Sequence, residues 1–307
     1  MPRASLDVLI PHYQDPRGLR DSLASVALQD WRGRIRVVVA DDGSDEAIFD
    51  EAASICNAFD RKSPHQIALL RCEENRGRPH TRNELLDASE SSHIAWLDAG
   101  DTWSPAKLRH QFDYLSQMYY GGWDMSATWI TCDYDWVEGG DEPKRVKQDV
   151  SGDQLQKLLT GSQLRAYLWT LLGTRESFLR TGYFDERLPR LQDLDYFVRF
   201  VRGGGKILRA RPKDAFAIYY KSDVGRNSRQ IYDAYGVILQ KNRPALKNYP
   251  PALSRELKHR SAKLAARFAR NNNDRLGFLK YELLGMSIKP VTTARRLAGR
   301  IVRRLTS

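Results

Sequence analysis

Ile35-Arg36-Val37-Val38-Val39-Ala40-Asp41-Asp42-Gly43-Ser44 is a β-branched apolar run that breaks into two carboxylates and a turn pair. Such a run reads as a buried strand. It delivers Asp41 and Asp42 just past the strand end, where an α/β sheet presents side chains to a ligand crevice. Upstream, Leu6-Asp7-Val8-Leu9-Ile10 reads as a strand ended by Pro11, followed by Leu19, Leu23 and Val26 at helical spacing. Downstream come a helix over 47–59, a strand over 66–71, a helix over 80–88 and a strand at Ile94-Ala95-Trp96-Leu97. The alternation predicts an α/β fold, a mostly parallel, Rossmann-like sheet flanked by helices. The last of these strands again runs into acids, Leu97-Asp98-Ala99-Gly100-Asp101.

Ser104-Pro105 reads as a helix start, with a serine cap and a proline in the first turn, and Leu108, Phe112 and Leu115 follow at helical spacing. After about residue 120 the pattern becomes α+β: a strand over 125–131, a polar loop over 139–150, a short helix over 154–159 and a longer one over 227–242. Pro244, Pro250 and Pro251 mark a linker. Beyond it Leu257, Ser261, Leu264 and Phe268 share a helix face against Arg255, Lys258, Lys263, Arg267 and Arg270. A second basic amphipathic segment sets Ala294, Leu297, Ala298, Ile301 and Leu305 against Arg295, Arg296, Arg300, Arg303 and Arg304. The expected organisation is an α/β domain over 1–230 and a basic helical extension over 231–307.

The 307 residues carry a formal net charge of +11, unevenly spread. Residues 243–307 hold 16 Lys and Arg against 3 Asp and Glu, a net +13 that leaves −2 for residues 1–242. Cys56, Cys72 and Cys132 are odd in number and have no C-x-x-C spacing, which excludes a disulfide framework and a zinc cluster and suits a reducing cytoplasm. No apolar stretch reaches the roughly 20 residues that span a bilayer. His12, His80 and His110 have no metal-ligand spacing, and no Ser/His/Asp or Cys/His nucleophile set is present.

The acids carry the chemistry. Asp41 and Asp42 suit an Asx-turn or a helix cap; equally, one of them suits the imide N–H of a uracil or thymine. Ala99-Gly100 between Asp98 and Asp101 lets backbone approach a bulky anion. Two carboxylates beside a sheet can hold Mg²⁺ or Mn²⁺ when a diphosphate supplies the remaining oxygens. Trp123, Trp129, Trp136 and Trp169 lie in the less regular half, as core or as a platform on which sugars stack.

Taken in order, Ile10-Pro11-His12-Tyr13, Val39-Ala40-Asp41-Asp42-Gly43-Ser44, Asn75-Arg76-Gly77 with Arg82-Asn83, Trp96-Leu97-Asp98-Ala99-Gly100-Asp101 with Trp103-Ser104-Pro105, and Gly182-Tyr183-Phe184-Asp185-Glu186 before Gln192-Asp193-Leu194-Asp195 resemble the inverting, GT-A-fold glycosyltransferases of family 2. The resemblance runs across residues 5–230. It implies that Pro11 and Tyr13 line a nucleoside pocket, that Asp42 bonds the base, and that Arg82 and Asp98 lie at the nucleotide. Asp98 and Asp101 then stand where that family holds its metal, Mg²⁺ or Mn²⁺. Gly100 occupies the position usually filled by the second, ligating Asp, and the nearest carboxylate follows one residue later. Asp193 would be the general base, with Gln192 in place of the family's Glu. Gln192, Asp195 and Trp169 would face the acceptor. Asp223 stands where some relatives complete the metal site with a His, and Lys221 and Arg226 are either diphosphate contacts or surface charges.

The resemblance implies a nucleotide-sugar donor, UDP-linked in first place and dTDP-linked in second, and a glycan or polyprenyl-linked acceptor in surface polysaccharide assembly. Absence of the processive Q-x-x-R-W motif points to single additions. The basic tail points to an anionic membrane surface at the inner face of the cell membrane. Nucleic acid is not expected as a partner, since few aromatics lie among the tail's charges; self-association stays open. Two other readings remain. A nucleotidyltransferase calls for a glycine-rich, Lys/Arg-bearing loop after the first strand, where this chain has Pro11-His12-Tyr13-Gln14-Asp15. A catalytically degenerate GT-A protein serving as a membrane-associated assembly factor is the other, kept by Gly100 and Gln192.

Overall fold

The computed structural model describes residues 4–138, 142–210, 216–220 and 227–290. The chain divides into two compact units, Met1–Arg187 with Gln192–Ser222, and Leu188–Leu191 with Asp223–Ser307.

The first unit alternates as its apolar runs predict: β1 Ser5–His12, α1 Pro16–Ala27, β2 Arg34–Asp41, α2 Glu46–Lys62, β3 Gln66–Arg71, α3 Arg78–Asp87 and β4 His93–Trp96. β5 is Thr102–Trp103, α4 Lys107–Tyr120, β6 Thr128–Thr131, β7 Asp133–Val137, β8 Lys144–Val146, α5 Gln154–Thr160, β9 Leu172–Thr174, α6 Arg175–Thr181, α7 Gln192–Arg202, β10 Lys206–Arg209 and β11 Phe216–Tyr220. The main sheet has the order β10-β6-β9-β4-β1-β2-β3. Its β3, β2, β1 and β4 run parallel, as do β6 and β10. Between these two blocks β9 pairs antiparallel with both β4 and β6. A smaller sheet has the order β5-β11-β7-β8. Val8, Ile10, Val37 and Val39 are fully buried, and so are Leu9 and Val38 pointing the other way, as in a sheet covered on both faces.

Several elements depart from the sequence expectation for identifiable reasons. Pro11 does not end β1; it pairs in register with Ala40, and the strand continues to His12. Leu9 turns its carbonyl to Leu97 and His12 turns its own to Asp42. Period-2 alternation therefore points the missing N–H of Pro11 to the side that β4 has already left, and no ladder bond is lost. The expected strand over 125–131 begins as a 3₁₀ turn, Met125–Ala127. The expected polar loop over 139–150 contains β8, which pairs with β7. Ser104-Pro105 form a turn ahead of α4, where Ser104 Oγ accepts the Phe216 N–H at 3.0 Å instead of capping the helix.

The second unit comprises α8 Ser228–Lys241, the single turn α9 Arg243–Leu246, α10 Pro251–Asn271 and α11 Arg275–Ile288. The expected linker at Pro244 thus contains a helical turn. Leu257, Ser261 and Phe268 of α10 are buried as their spacing predicts. Ala265 and Ala266 pack with Tyr281 of α11, a helix the sequence reading had not separated out. Leu276, Leu279 and Leu283 of α11 remain 83, 55 and 52% exposed. The second basic segment, 294–305, lies outside the described residues.

Candidate functional site

Three parallel strands end on one edge of the sheet and bring their following loops together. His12 pairs with Asp41, and Leu9 with Trp96, so the residues after β1, β2 and β4 emerge side by side. Asp41 is fully buried. It accepts from Ser44 N–H at 2.8 Å and from Ser44 Oγ at 2.6 Å, and lies 2.7 Å from His12 Nδ1. Burial opposes its charge, but His12 and Ser44 outweigh burial and hold the carboxyl below its usual range. Asp41 therefore shapes the edge. Gly43, at φ +70°, could not carry a side chain: a Cβ would stand 2.4 Å from the Glu74 backbone.

That close approach lets Asp42 reach the chain entering α3. Its carboxylate accepts the N–H groups of Arg76 at 3.1 Å and Gly77 at 3.0 Å. Burial nonetheless pushes its carboxyl above the usual range. Pro11 is buried within β1, while Tyr13 is half exposed just beyond it.

Arg82 of α3 is the centre of the arrangement. Fully buried, it donates from Nη2 to both carboxylate oxygens of Asp98, at 2.9 and 3.1 Å, and from Nη1 to Asp193. Asp193 lies in the first turn of α7 and remains 24% exposed, Asp98 19%. Burial works against the charge of Asp98, but Arg82 and Arg78 prevail and hold its carboxyl low. At Asp193 burial prevails, aided by the Asp98 charge, and pushes the carboxyl up against the pull of Arg82. Asn83 fixes the segment that leads to α7, donating to Phe184 O at 3.1 Å and accepting Phe184 N–H at 2.8 Å.

The loop after β4 is held from α1. Ser22 Oγ accepts Gly100 N–H at 3.0 Å and donates to Asp101 O at 2.7 Å. Gly100 has φ +95°, and the backbone of Gly18 approaches so closely that a Cβ there would lie 2.9 Å from Gly100 Cα. The glycine that replaces the expected ligand is thus what this loop conformation requires. Asp101 is 5% exposed and accepts Tyr220 N–H at 3.3 Å. Burial, then the neighbouring Asp98 charge, pushes its carboxyl well above the usual range. Two adjacent carboxylates that repel one another fit a hard divalent cation whose remaining oxygens come from a diphosphate. Among the described residues no three His, Cys, Asp or Glu side chains group as a metal set. Asp223, Lys221 and Arg226 lie outside the described residues.

The other expected site residues stand in more closed settings. Asp195, 1% exposed, pairs at 2.9 Å with Arg199, which also donates to Thr181 O and Tyr183 O. Gln192 opens α7 and is 5% exposed. Trp169 is 3% exposed, stacked with Tyr167 and Tyr219. Arg78, exposed at the start of α3, is a residue the sequence reading passed over; its charge acts on Asp98, Asp101 and Asp193 alike. The available signal was a cation in a helix's first turn, where the macrodipole disfavours it unless an anion is near. Ser22 gave no signal, being one serine in an amphipathic helix.

A mostly parallel sheet with helices around it and acids on its carboxyl edge is the GT-A architecture. The protein of a Staphylococcus aureus structure, TarS 1–349 in complex with UDP-GlcNAc, shares it at TM-score 0.60 and 15% identity over 94% of this chain and 82% of that one. A mannosyltransferase from Pyrobaculum calidifontis in complex with GDP-Man and Mn²⁺ shares it at TM-score 0.56 and 17% identity, over 99% and 81%. Residues 7–156, just under half of the chain, match the glycosyl transferase family 2 model. The succinoglycan biosynthesis protein ExoW of Rhizobium meliloti is 32% identical over 141 residues, 45% of this chain and 39% of ExoW. The chain spans only part of the length of its curated relatives, from 66% down to 27% across eight of them.

Proposed function

We propose that the protein is an inverting, non-processive glycosyltransferase that moves one sugar from a nucleoside diphosphate donor to a hydroxyl of a glycan or lipid-linked acceptor. The observation that carries this reading is Arg82, one buried guanidinium holding Asp98 and Asp193 together at the sheet's carboxyl edge. Asp193, the more basic of the pair, takes the proton of the acceptor hydroxyl as that oxygen attacks the anomeric carbon from the face opposite the diphosphate. The new glycosidic bond forms while the bond to the diphosphate oxygen breaks, and the nucleotide leaves with the electron pair.

Asp42 and Tyr13 hold the base and Asp98 and Arg78 border the diphosphate. A Mg²⁺ or Mn²⁺ ion on Asp98 and Asp101 would neutralise leaving-group charge. A uridine donor is the first choice and a thymidine donor the second, with Asp42 accepting from the imide N–H. The similarity to ExoW supports an acceptor in polysaccharide assembly. Among the described residues no helix is long and apolar enough to cross a membrane. The basic second unit supports a peripheral position on an anionic inner leaflet.

The test is Asp193→Asn. Turnover of the cognate nucleotide sugar should fall by about 10²–10⁴-fold, while calorimetric affinity for the nucleotide with Mn²⁺ stays within a few-fold. Unchanged turnover would remove Asp193 from the chemistry. No affinity for UDP, dTDP or GDP in the unmodified protein would favour the non-catalytic assembly factor.

A further inference from the structure

The second unit carries a groove that the transfer chemistry does not use. It has a volume of about 640 Å³ and lies among α8, α9 and α10, within the size range of small-molecule pockets. Leu257 is buried within it, and Leu239 and Leu246 are half-buried. Around these leucines stand three exposed cations, Arg243, Lys247 and Lys258, and no acidic residue lines the groove. None of the three has a hydrogen-bond or ion-pair partner among the described residues. Arg243 and Lys247 lie one helical turn apart, since Lys247 continues α9 with φ −63° and ψ −24°. Like charges at that spacing repel in the absence of an anion.

An occupant must therefore offer hydrocarbon to the leucines and negative charge to the rim. Residues 291–307 of the chain bring five arginines and no acid, and a second copy of this unit brings the same excess of positive charge; both are repelled. We infer that the groove binds a membrane lipid phosphate, its apolar chain against Leu239, Leu246 and Leu257 and its head group among Arg243, Lys247 and Lys258. This deepens the membrane partner proposed above and rests on that reading, not on the carboxylate site.

Dodecyl phosphate, titrated calorimetrically into the full-length protein below its micellar concentration, is the probe, with inorganic phosphate and uncharged dodecyl maltoside as controls. Dodecyl phosphate should bind at least 10-fold more tightly than either control. The double variant Arg243→Glu, Lys247→Glu, both exposed and outside the catalytic machinery, should lose at least 10-fold in that affinity. Lys258→Glu alone should lose several-fold, with nucleotide affinity unchanged in all variants as evidence of folding. Equal binding by the double variant, or inorganic phosphate binding as tightly as dodecyl phosphate, overturns the inference. So does a lipid-free dimer that the double variant abolishes. Failure of nucleotide binding in the unmodified protein, with dodecyl phosphate still bound, overturns the transferase reading and leaves the groove.

Discussion

Arg82 and Gly100 show how single residues set the site. Arg82→Met would leave Asp98 and Asp193 facing each other without the guanidinium that joins them, a loss we expect to cost about 3 kcal/mol of stability, the lower end for a broken buried pair because both acids keep some exposure. With the Arg82 charge gone both carboxyl pKa values rise, Arg78 alone opposing burial. Since the base must be ionised, the pH at which turnover fails on acidification should move upward, which a pH–rate profile of the variant would read. Arg82→Lys should resemble Met in turnover more than in stability, because an ammonium lacks the planar fork that reaches two carboxylates. Gly100→Asp restores the family's usual residue, yet φ +95° at that position strains any side chain. We expect a lower melting temperature, from a cost of about 1–2 kcal/mol, and no gain in Mn²⁺ affinity by calorimetry; tighter Mn²⁺ binding would show that the loop accepts a ligand there. The positions of the two acidic loops were legible because acids at strand ends stand out in sequence, and Asp193 through the ordered motifs around it. Arg82's double contact was not, since it joins residues from three distant segments that only the folded sheet edge brings together.

At the level of elements, the parallel strands and first helices were legible because continuous β-branched runs and helical spacing are local signals. The less regular half was not. β8 and β9 are three-residue strands whose existence depends on partners far along the chain, and the Ser104 turn answers to β11, more than a hundred residues away. α4 holds a second element-scale feature, Lys107, fully buried over the Trp103 ring at 3.9 Å and donating to Gln111 at 2.8 Å. Burial lowers its pKa from 10.5 to about 8. Between those values the unfolded chain holds a proton that the folded one has released, so stability rises with pH across that window. Lys107→Met should flatten this rise, by up to about 3 kcal/mol, in melting temperatures measured from neutral to alkaline pH; a rise that survives in the variant would assign it to other groups.

At the scale of the whole molecule, charge and apolar surface separate along the chain. Residues 1–242 are nearly neutral and the second unit strongly basic, with Leu276, Leu279 and Leu283 exposed on one stripe of α11. Replacing these three leucines with serine should reduce co-sedimentation with phosphatidylglycerol vesicles at least 10-fold and leave nucleotide affinity intact; unchanged co-sedimentation would assign membrane contact to charge alone. The position of β9 has a consequence for how the molecule is made. Ile94 finds Gly173, and Gly173 in turn finds Trp129, so among the described residues the two parallel blocks of the main sheet are joined by a strand that leaves the ribosome after both partners. Until residue 174 has emerged, β4 presents an open edge ready to pair with another chain. A nascent chain stalled within the family-matching stretch is therefore aggregation-prone, and folding of the sheet waits on long-range closure late in translation.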